Sequence, residues 1–361
     1  MSDERHPISE PLKVVELFAG IGSPRKAISN LGIPHTSIIS EIDAYAAQSY
    51  CAVHGDTVNL GDITKVAELP DCDILIDGSP CQSISKEGRN TGMKRGSGTQ
   101  SSLKWETIRL LRAAEELPKV IIQENVPNIL SKRHRKDLNA VISELSDMGY
   151  HSNYAVLNAQ NFGLPQNRNR FFLVSRLECG FIFPQIPQRT GLKLKDILES
   201  DVSEDYYLTM DEMARFVHSI PSKDRVNINN PTKKGYITAE DGDGIILAFP
   251  SSMTKRGRVQ KGSSPTLLTK GDAVGVVLID SEGVKIRKLT ELEFWRLQGF
   301  MDSDYRAAAQ TCSSTQLYKQ AGNSIPVSIL EWLISAVLVD RSTTIRQTSM
   351  SDFAICEEAI N

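Results

Sequence analysis

The sequence predicts an α/β fold: a doubly wound, mostly parallel sheet that carries a smaller β-rich domain. Three observations predict it. Short apolar strand-like runs alternate with helical patterns between Lys13 and Gly149, the order expected of parallel strands joined by crossover helices. Near residue 180 the texture changes. Pro, Gly, Ser and Thr become frequent, and short alternating segments replace the helices. From Leu289 helical patterning returns, so the middle region reads as an insert and the last helices as the closing layer of the first domain. The expected organisation is a disordered lead-in over 1–12, a first domain over 13–179 and 286–340, a second over 180–285, and a flexible tail over 341–361.

Each element has its own signal. Val14, Val15, Leu17 and Phe18 form a short apolar run that ends at Gly20 and Gly22, as a buried strand feeding a helix should. Ser23 and Pro24 supply a helix N-cap and a proline at the first helical position, and Gly32 stops the helix after about Leu31. TSIISEID is the next strand and AYAAQSYCAVH the next helix. A short strand falls near TVNLGDI, and DILIDGSP is an apolar strand running into a loop. Residues 102–117 are helical, KVIIQENV is a strand, and KDLNAVISELSDMG is an amphipathic helix ended by Gly149. HSNYAVLNA and RFFLVSRL follow as the last two strands. In the insert GIILAF, PTLLT and VGVVLID alternate; LTELEFWRLQGF and SIPVSILEWLISAVL are the closing helices.

Composition narrows the function. The chain has 361 residues, 40% of them hydrophobic, enough for a sizeable core without staples. No run of about 18 apolar residues predicts a membrane span, and the charged start MSDERHPISE lacks a secretory signal. Six cysteines, at 51, 72, 81, 179, 312 and 356, form no CxxC pair. That argues against a zinc cage and a disulfide framework, and for a cytoplasmic protein that needs no metal. The net charge of -3 gives nucleic-acid binding no general support, so any such site must come from local basic clusters.

Two groups of residues carry chemistry. Phe18, Ala19, Gly20, Ile21 and Gly22 form a strand-to-helix turn whose glycines let a ligand approach the backbone. Arg25 occupies the third glycine position of a dinucleotide fingerprint, which weakens a pyrophosphate reading. Glu41 ends the second strand and suits ribose hydroxyls; Asp62, followed by Ile63, suits an adenine amino group. Together they favour S-adenosylmethionine over a nicotinamide dinucleotide. The second group starts with Gly78-Ser79-Pro80-Cys81-Gln82, beyond the carboxyl end of a strand, where ligands bind in this architecture. A lone cysteine there is more often a small buried hydrophobe than a nucleophile. Gln123-Glu124-Asn125 changes the balance, because a carboxylate ending so apolar a strand needs a partner or a function. Arg168 and Arg170 open a further strand. A salt bridge from either to Glu124 would be compatible with a catalytic role.

At this point the sequence resembles the DNA (cytosine-5)-methyltransferases of bacterial and phage type. FAGIG, PCQ, ENV, the Q-x-R-x-R run at 166–170, LTELEFWRLQGF and QAGNSIPVSIL occur in the family's order over about 13–178 and 286–339. The resemblance implies a Rossmann-like sheet binding S-adenosylmethionine and a target-recognition domain at about 180–285. It implies Cys81 as nucleophile, Glu124 holding the cytosine ring and Arg168 orienting the base or Glu124. Phe18, Ala19, Gly20, Gly22, Glu41, Ile42, Asp62, Ile63, Pro80, Asn323 and Ser324 would meet the cofactor. Ser79 departs from the usual phenylalanine, Ser23-Pro24 from a Gly-aromatic pair, and Ile84 from a frequent phenylalanine, which touches local packing rather than chemistry.

The base must leave the duplex to be reached, and residues 85–100, with four glycines, suit closure over it. The expected DNA contacts are Gln82, Ser85, Lys86, Arg89, Arg95 and Arg170, with Arg256 and Arg258 in the insert. The expected partner is double-stranded DNA, bound by a monomer, in a restriction-modification system with a companion endonuclease or in phage or orphan protection. The alternatives are a tRNA cytosine-5 methyltransferase of the same family, a catalytically silent DNA-binding protein and a nicotinamide oxidoreductase. His54 and Cys51 read as helix residues, and Trp295 and Trp332 as core.

Overall fold

The first half of the chain alternates β1 (Leu12–Leu17), α1 (Ser23–Asn30), β2 (His35–Ser40), α2 (Ala44–His54), β3 (Val58–Asn59), β4 (Ile74–Asp77), α3 (Lys104–Ala113), β5 (Val120–Asn125), α4 (Arg135–Asp147), β6 (His151–Asn158) and β7 (Asn169–Arg176). The computed structural model describes residues 10–339 apart from 86–90, 190, 220, 223, 249, 251 and 253–256. The seven strands lie in the order β3-β2-β1-β4-β5-β7-β6. β1 to β5 are parallel, while β7 runs antiparallel to β5 and forms a hairpin with β6. This is the expected mostly parallel sheet. Because alternate strand residues face opposite ways, each strand feeds two cores. Val15, Leu75 and Ile121 pack with Ile108, Leu111, Leu138 and Val141 of α3 and α4. Val14, Ile74 and Ile122 pack on the other face with Ala27 and Ile28 of α1 and with the C-terminal helices.

Caps and ends follow from side chains, with corrections. Asp43 caps α2 by accepting from the Tyr45 and Ala46 amides. Ser23 does not cap α1: the N-cap is Gly22, in the left-handed region at φ 78°, and Ser23 and Pro24 already lie inside the helix. Only glycine suits this spot, since an added Cβ would lie 2.5 Å from His54 Nε2 and 2.6 Å from the Tyr50 ring. The expected helix over 102–117 is shorter; a 3-10 turn at Gln100–Leu103 leads into α3, which ends at Ala113. β1 begins at Leu12, inside the expected lead-in. The rest of that lead-in to residue 9, and the tail, lie outside the described residues.

The insert contains α5 (Met210–Met213), β8 (Val226–Asn229), β9 (Tyr236–Ala239), β10 (Gly244–Ile246), β11 (Val259–Gln260), β12 (Val274–Asp280) and β13 (Gly283–Lys288). They form a β11-β10-β12-β13 sheet and a β8-β9 hairpin. The expected boundary at 285 falls inside β13, which pairs with β12 up to Lys288. Nor is the insert's core separate. Val277 faces the insert's own cluster, while Val274 and Val276, with Leu194 and Leu267, belong to the cluster under the central sheet. PTLLT is not a strand; Ser264, just before it, bridges to Gln166, just before β7.

Four helices close the molecule, α6 (Glu291–Leu297), α7 (Asp302–Ala309), α8 (Ser314–Asn323) and α9 (Val327–Val339), where two were expected. Thr290 and Glu293 make a capping box on α6, and Arg287 holds Glu293 in a buried pair at 2.6 Å. Among the described residues, Ser314–Val339 is the one stretch long and apolar enough to cross a membrane. It is α8 and α9, broken at Ser324–Pro326, with α9 packed on α1 in the core.

Two outcomes test this packing. A Cβ at Gly322 would lie 2.3 Å from the Leu268 carbonyl oxygen, so Gly322→Ala must push α8 off the insert backbone and should cost ~1–3 kcal/mol in denaturant unfolding. Gly180→Ala, with open space around it, should cost far less. Glu16 on β1 is buried beneath Tyr50, whose hydroxyl donates to it at 2.6 Å, and burial pushes its pKa up to about 7. A carboxyl raised above its unfolded value stabilises fully below about pH 4.3 and loses that contribution as pH rises through about 7. Glu16→Gln should therefore abolish that part of the stability loss in unfolding measured from acid to neutral pH.

Candidate functional site

One cavity at the carboxyl ends of β1, β2, β4 and β5 collects most of the residues singled out above. Its near half is built by the turn after β1. Phe18 sits at φ 58° and Gly20 at φ 58°, the former being the one non-glycine with positive φ among the described residues. The amides of Phe18 and Ala19 donate to the Ser40 carbonyl, at 2.8 and 3.3 Å, and bind the turn to the end of β2. Glu41 holds it from the other side: one carboxylate oxygen accepts from the Gly20 amide at 2.8 Å and the other from Asp43 at 2.8 Å. Burial pushes the Glu41 carboxyl above the usual range. Asp62 caps the next turn by accepting from Thr64, whose hydrogen bonds lower its pKa. Phe18, Ala19, Gly20, Glu41, Ile42, Asp62, Ile63, Pro80, Asn323 and Ser324 all line the cavity. Gly22 does not; its hydrogens face Tyr50 and His54, so its role is packing.

The far half holds the thiol and the carboxylate. β4 ends at Asp77, and the chain turns sharply because Asp77 accepts the Ser79 amide at 2.8 Å. Cys81 follows, half-buried, its carbonyl accepting from the Ile84 and Ser85 amides. Burial first, and then the Glu124 charge, raise the thiol's pKa; Arg170 and Arg168 pull it down. Glu124 sits near the end of β5, and burial pushes its carboxyl up against the opposing pull of the same two arginines and Lys104.

The two arginines divide their work differently from the expectation. Arg170, expected at DNA, is the partner of Glu124: its Nε lies 2.9 Å from Glu124 Oε1, both side chains nearly buried. Arg168, expected on the base or Glu124, is 1% exposed and donates to three backbone carbonyls. These are Leu267 at 3.3 Å, Gly322 at 2.8 Å and Ser324 at 2.9 Å. Its Nε, buried, finds no hydrogen-bond partner among the described residues.

The expected DNA contacts scatter. Gln82 is exposed at the cavity mouth, with Ser85 nearby and half-buried. Arg95 pairs with Glu144 at 3.3 Å and lies over the Trp105 ring, away from the cavity. Arg258 is 1% exposed and donates to the Pro250 and Ser252 carbonyls. It braces its own loop, since a guanidinium needs several acceptors when buried. Lys86, Arg89 and Arg256 lie outside the described residues. Sequence reasoning missed Lys104 and Asp77, which are buried and hydrogen-bonded beneath the Cys81 loop together with Gln123. The signal was present: Lys104 falls on the apolar face of its helix, in line with Ile108 and Leu111. Among the described residues no group of three or more His, Cys, Asp or Glu is arranged to hold a metal.

The chain is 31% identical to the type II methyltransferase M2.ScrFI of Lactococcus lactis subsp. cremoris, covering 89% of this chain and 98% of that protein. It is 30% identical to the orphan methyltransferase M.SPRI of Bacillus phage SPR, covering 91% and 97%. The Entamoeba histolytica methyltransferase EhMeth has the same fold, with a TM-score of 0.65 over 93% of this chain and all of the other, at 18% identity. The sequence profile of the C-5 cytosine-specific DNA methylases matches residues 12–338. The chain therefore belongs to the C-5 cytosine-specific DNA methylases and is a DNA (cytosine-5)-methyltransferase.

Proposed function

We propose that the enzyme methylates carbon 5 of cytosine at a specific sequence in double-stranded DNA, with S-adenosylmethionine as donor, a covalent bond to Cys81 and the target base turned out of the helix. The observation that carries the reading is the single cavity in which Cys81 and the Glu124–Arg170 pair meet the Phe18–Gly20 turn, Glu41 and Asp62. The near half fits an adenosyl amino acid. Carboxylates offer acceptors for hydroxyls and an amine, Ile42 and Ile63 offer apolar flanks, and α1 begins without a side-chain cap at a turn suited to a carboxylate. When bound, S-adenosylmethionine supplies an electrophilic methyl group.

The chain's own residues prepare the base. Carbon 5 of cytosine is a poor nucleophile until a thiolate adds to carbon 6 and makes the ring an enamine; Cys81 supplies the thiolate. Glu124 holds nitrogen 3 and the exocyclic amine. Its raised pKa keeps a proton available as charge develops on the ring, and Arg170 fixes its orientation. After methylation, loss of the carbon 5 proton expels Cys81. A concave cavity at the strand ends admits only a base that has left the stack. The relatives' names, type II and orphan, support a role in restriction-modification or stand-alone protection.

DNA carrying 5-fluorocytosine at the target tests the reading, because fluorine cannot leave as the proton does and the adduct is trapped. Wild-type enzyme should form a DNA–protein adduct mapping to Cys81, and Cys81→Ser should form none and show no turnover. Turnover by Cys81→Ser, or preference for tRNA over duplex DNA in competition, would overturn it. The arginines should separate in the same assays. Arg170→Ala should lose kcat, with the melting temperature lowered less than in Arg168→Ala because the Glu124 carboxyl left unpaired can take up a proton. Arg168→Ala should lower the melting temperature first, since it strands three carbonyls in the interior.

A further inference from the structure

We propose that Lys104 is a positioning residue for the nucleophile: with Asp77 and Ser79 it forms a buried polar bracket that locks the Cys81 loop to the strand bearing Glu124. The proposal rests on the reading of Cys81 and Glu124 given above.

A lysine is almost never fully buried unless paired. Lys104 is 1% exposed, near the start of α3 and on the face that buries Thr107, Ile108 and Leu111. An apolar side chain of similar length would fill this place without the cost of desolvating a charge. The ammonium instead reaches Asp77 Oδ2 at 3.4 Å and Ser79 Oγ at 3.3 Å. Asp77 is wholly buried and ties its own loop to the neighbouring strand β5. One of its oxygens accepts the Ser79 amide at 2.8 Å; the other accepts Gln123 Nε2, on β5 beside Glu124, at 3.0 Å. Just upstream of Lys104, Ser101 Oγ donates to the Pro80 carbonyl at 2.8 Å and accepts the Ser83 amide at 3.1 Å. Residues 101–104 therefore grip the loop at 79, 80 and 83, on both sides of Cys81.

The chemistry explains the need for such a grip. Sulfur must meet carbon 6 while the carboxyl meets nitrogen 3 of the same ring, so the two groups share one tolerance. Directional bonds from a common anchor hold two strand ends in register more tightly than apolar packing, which is non-directional. A misplacement of about 1 Å at such a site costs on the order of a hundredfold in rate.

The test removes both charges at once, since removing one strands the other. In Asp77→Asn/Lys104→Met, melting temperature and the KM values for S-adenosylmethionine and duplex DNA should stay near wild type. Its kcat, and the rate of adduct formation on 5-fluorocytosine DNA, should fall together on the order of ten- to a hundredfold. Ser79→Ala, which deletes only a hydroxyl, should show the same split with a smaller loss, and it decides the matter alone if the double variant fails to fold. Wild-type kcat and trapping rate in Ser79→Ala or in a folded double variant would overturn the bracket. Failure of the underlying mechanism is visible separately, as a wild-type enzyme that traps no DNA.

Discussion

One guanidinium joins the three parts of the molecule. Arg168 stands where β7 begins, and its hydrogen bonds end on the insert at Leu267, on the last turn of α8 at Gly322 and on the break after it at Ser324. Those segments also wall the cavity, at Ser324, and anchor the insert, through the Asn167 amide to the Ser264 carbonyl at 2.8 Å. A buried guanidinium is costly without acceptors, so the three carbonyls it binds fix where each segment lies. The backbone of α8 then comes so near the insert at Gly322 that only hydrogen fits between them. The cavity, the insert and the closing helices are thus a single packing problem with one solution, which is why the core beneath the sheet includes residues from all three.

The sheet was legible because its strands are short apolar runs separated by glycine and proline punctuation. α2 was legible to the residue, because Asp43 and Gly55 mark its ends. α7 and α8 were not. Their inward faces are anchored by polar groups where apolar stripes would be expected: Asp304 pairs with Lys26 at 2.8 Å in the interior, and Gln320 bonds to Ser49 and the Tyr45 carbonyl. A periodicity argument sees only apolar residues, so such helices escape it. That β13 runs across the expected insert boundary was hidden for a related reason. Lys285, Arg287 and Lys288 make β13 look like a polar linker, yet Arg287 is buried against Glu293.

In the site, residue type was legible and partnership was not. Cys81, Glu124 and the two arginines could be singled out from strand ends, but spacing alone could not say which guanidinium faces Glu124. That depends on the antiparallel entry of β7, which sets Glu124 opposite Phe172 and brings Arg170 within reach. Arg258 is the converse case. Its neighbours in sequence are basic and read as a surface cluster, while its own side chain turns inward to two carbonyls.

The sheet's outer covering comes from the far end of the chain. Lys26 and Asn30 of α1, in the first tenth of the sequence, are met by Asp304 and Glu331, and α9 supplies the apolar lid over Ala27 and Ile28. A chain emerging from the ribosome therefore cannot cover its first crossover until α9 has been made. Contacts of such long separation slow folding and leave apolar surface open meanwhile. For a DNA-modifying enzyme this has a use in time: a chain that stops before Asn323 and Ser324 lacks part of the cavity wall, so no such amino-terminal fragment holds a finished cavity.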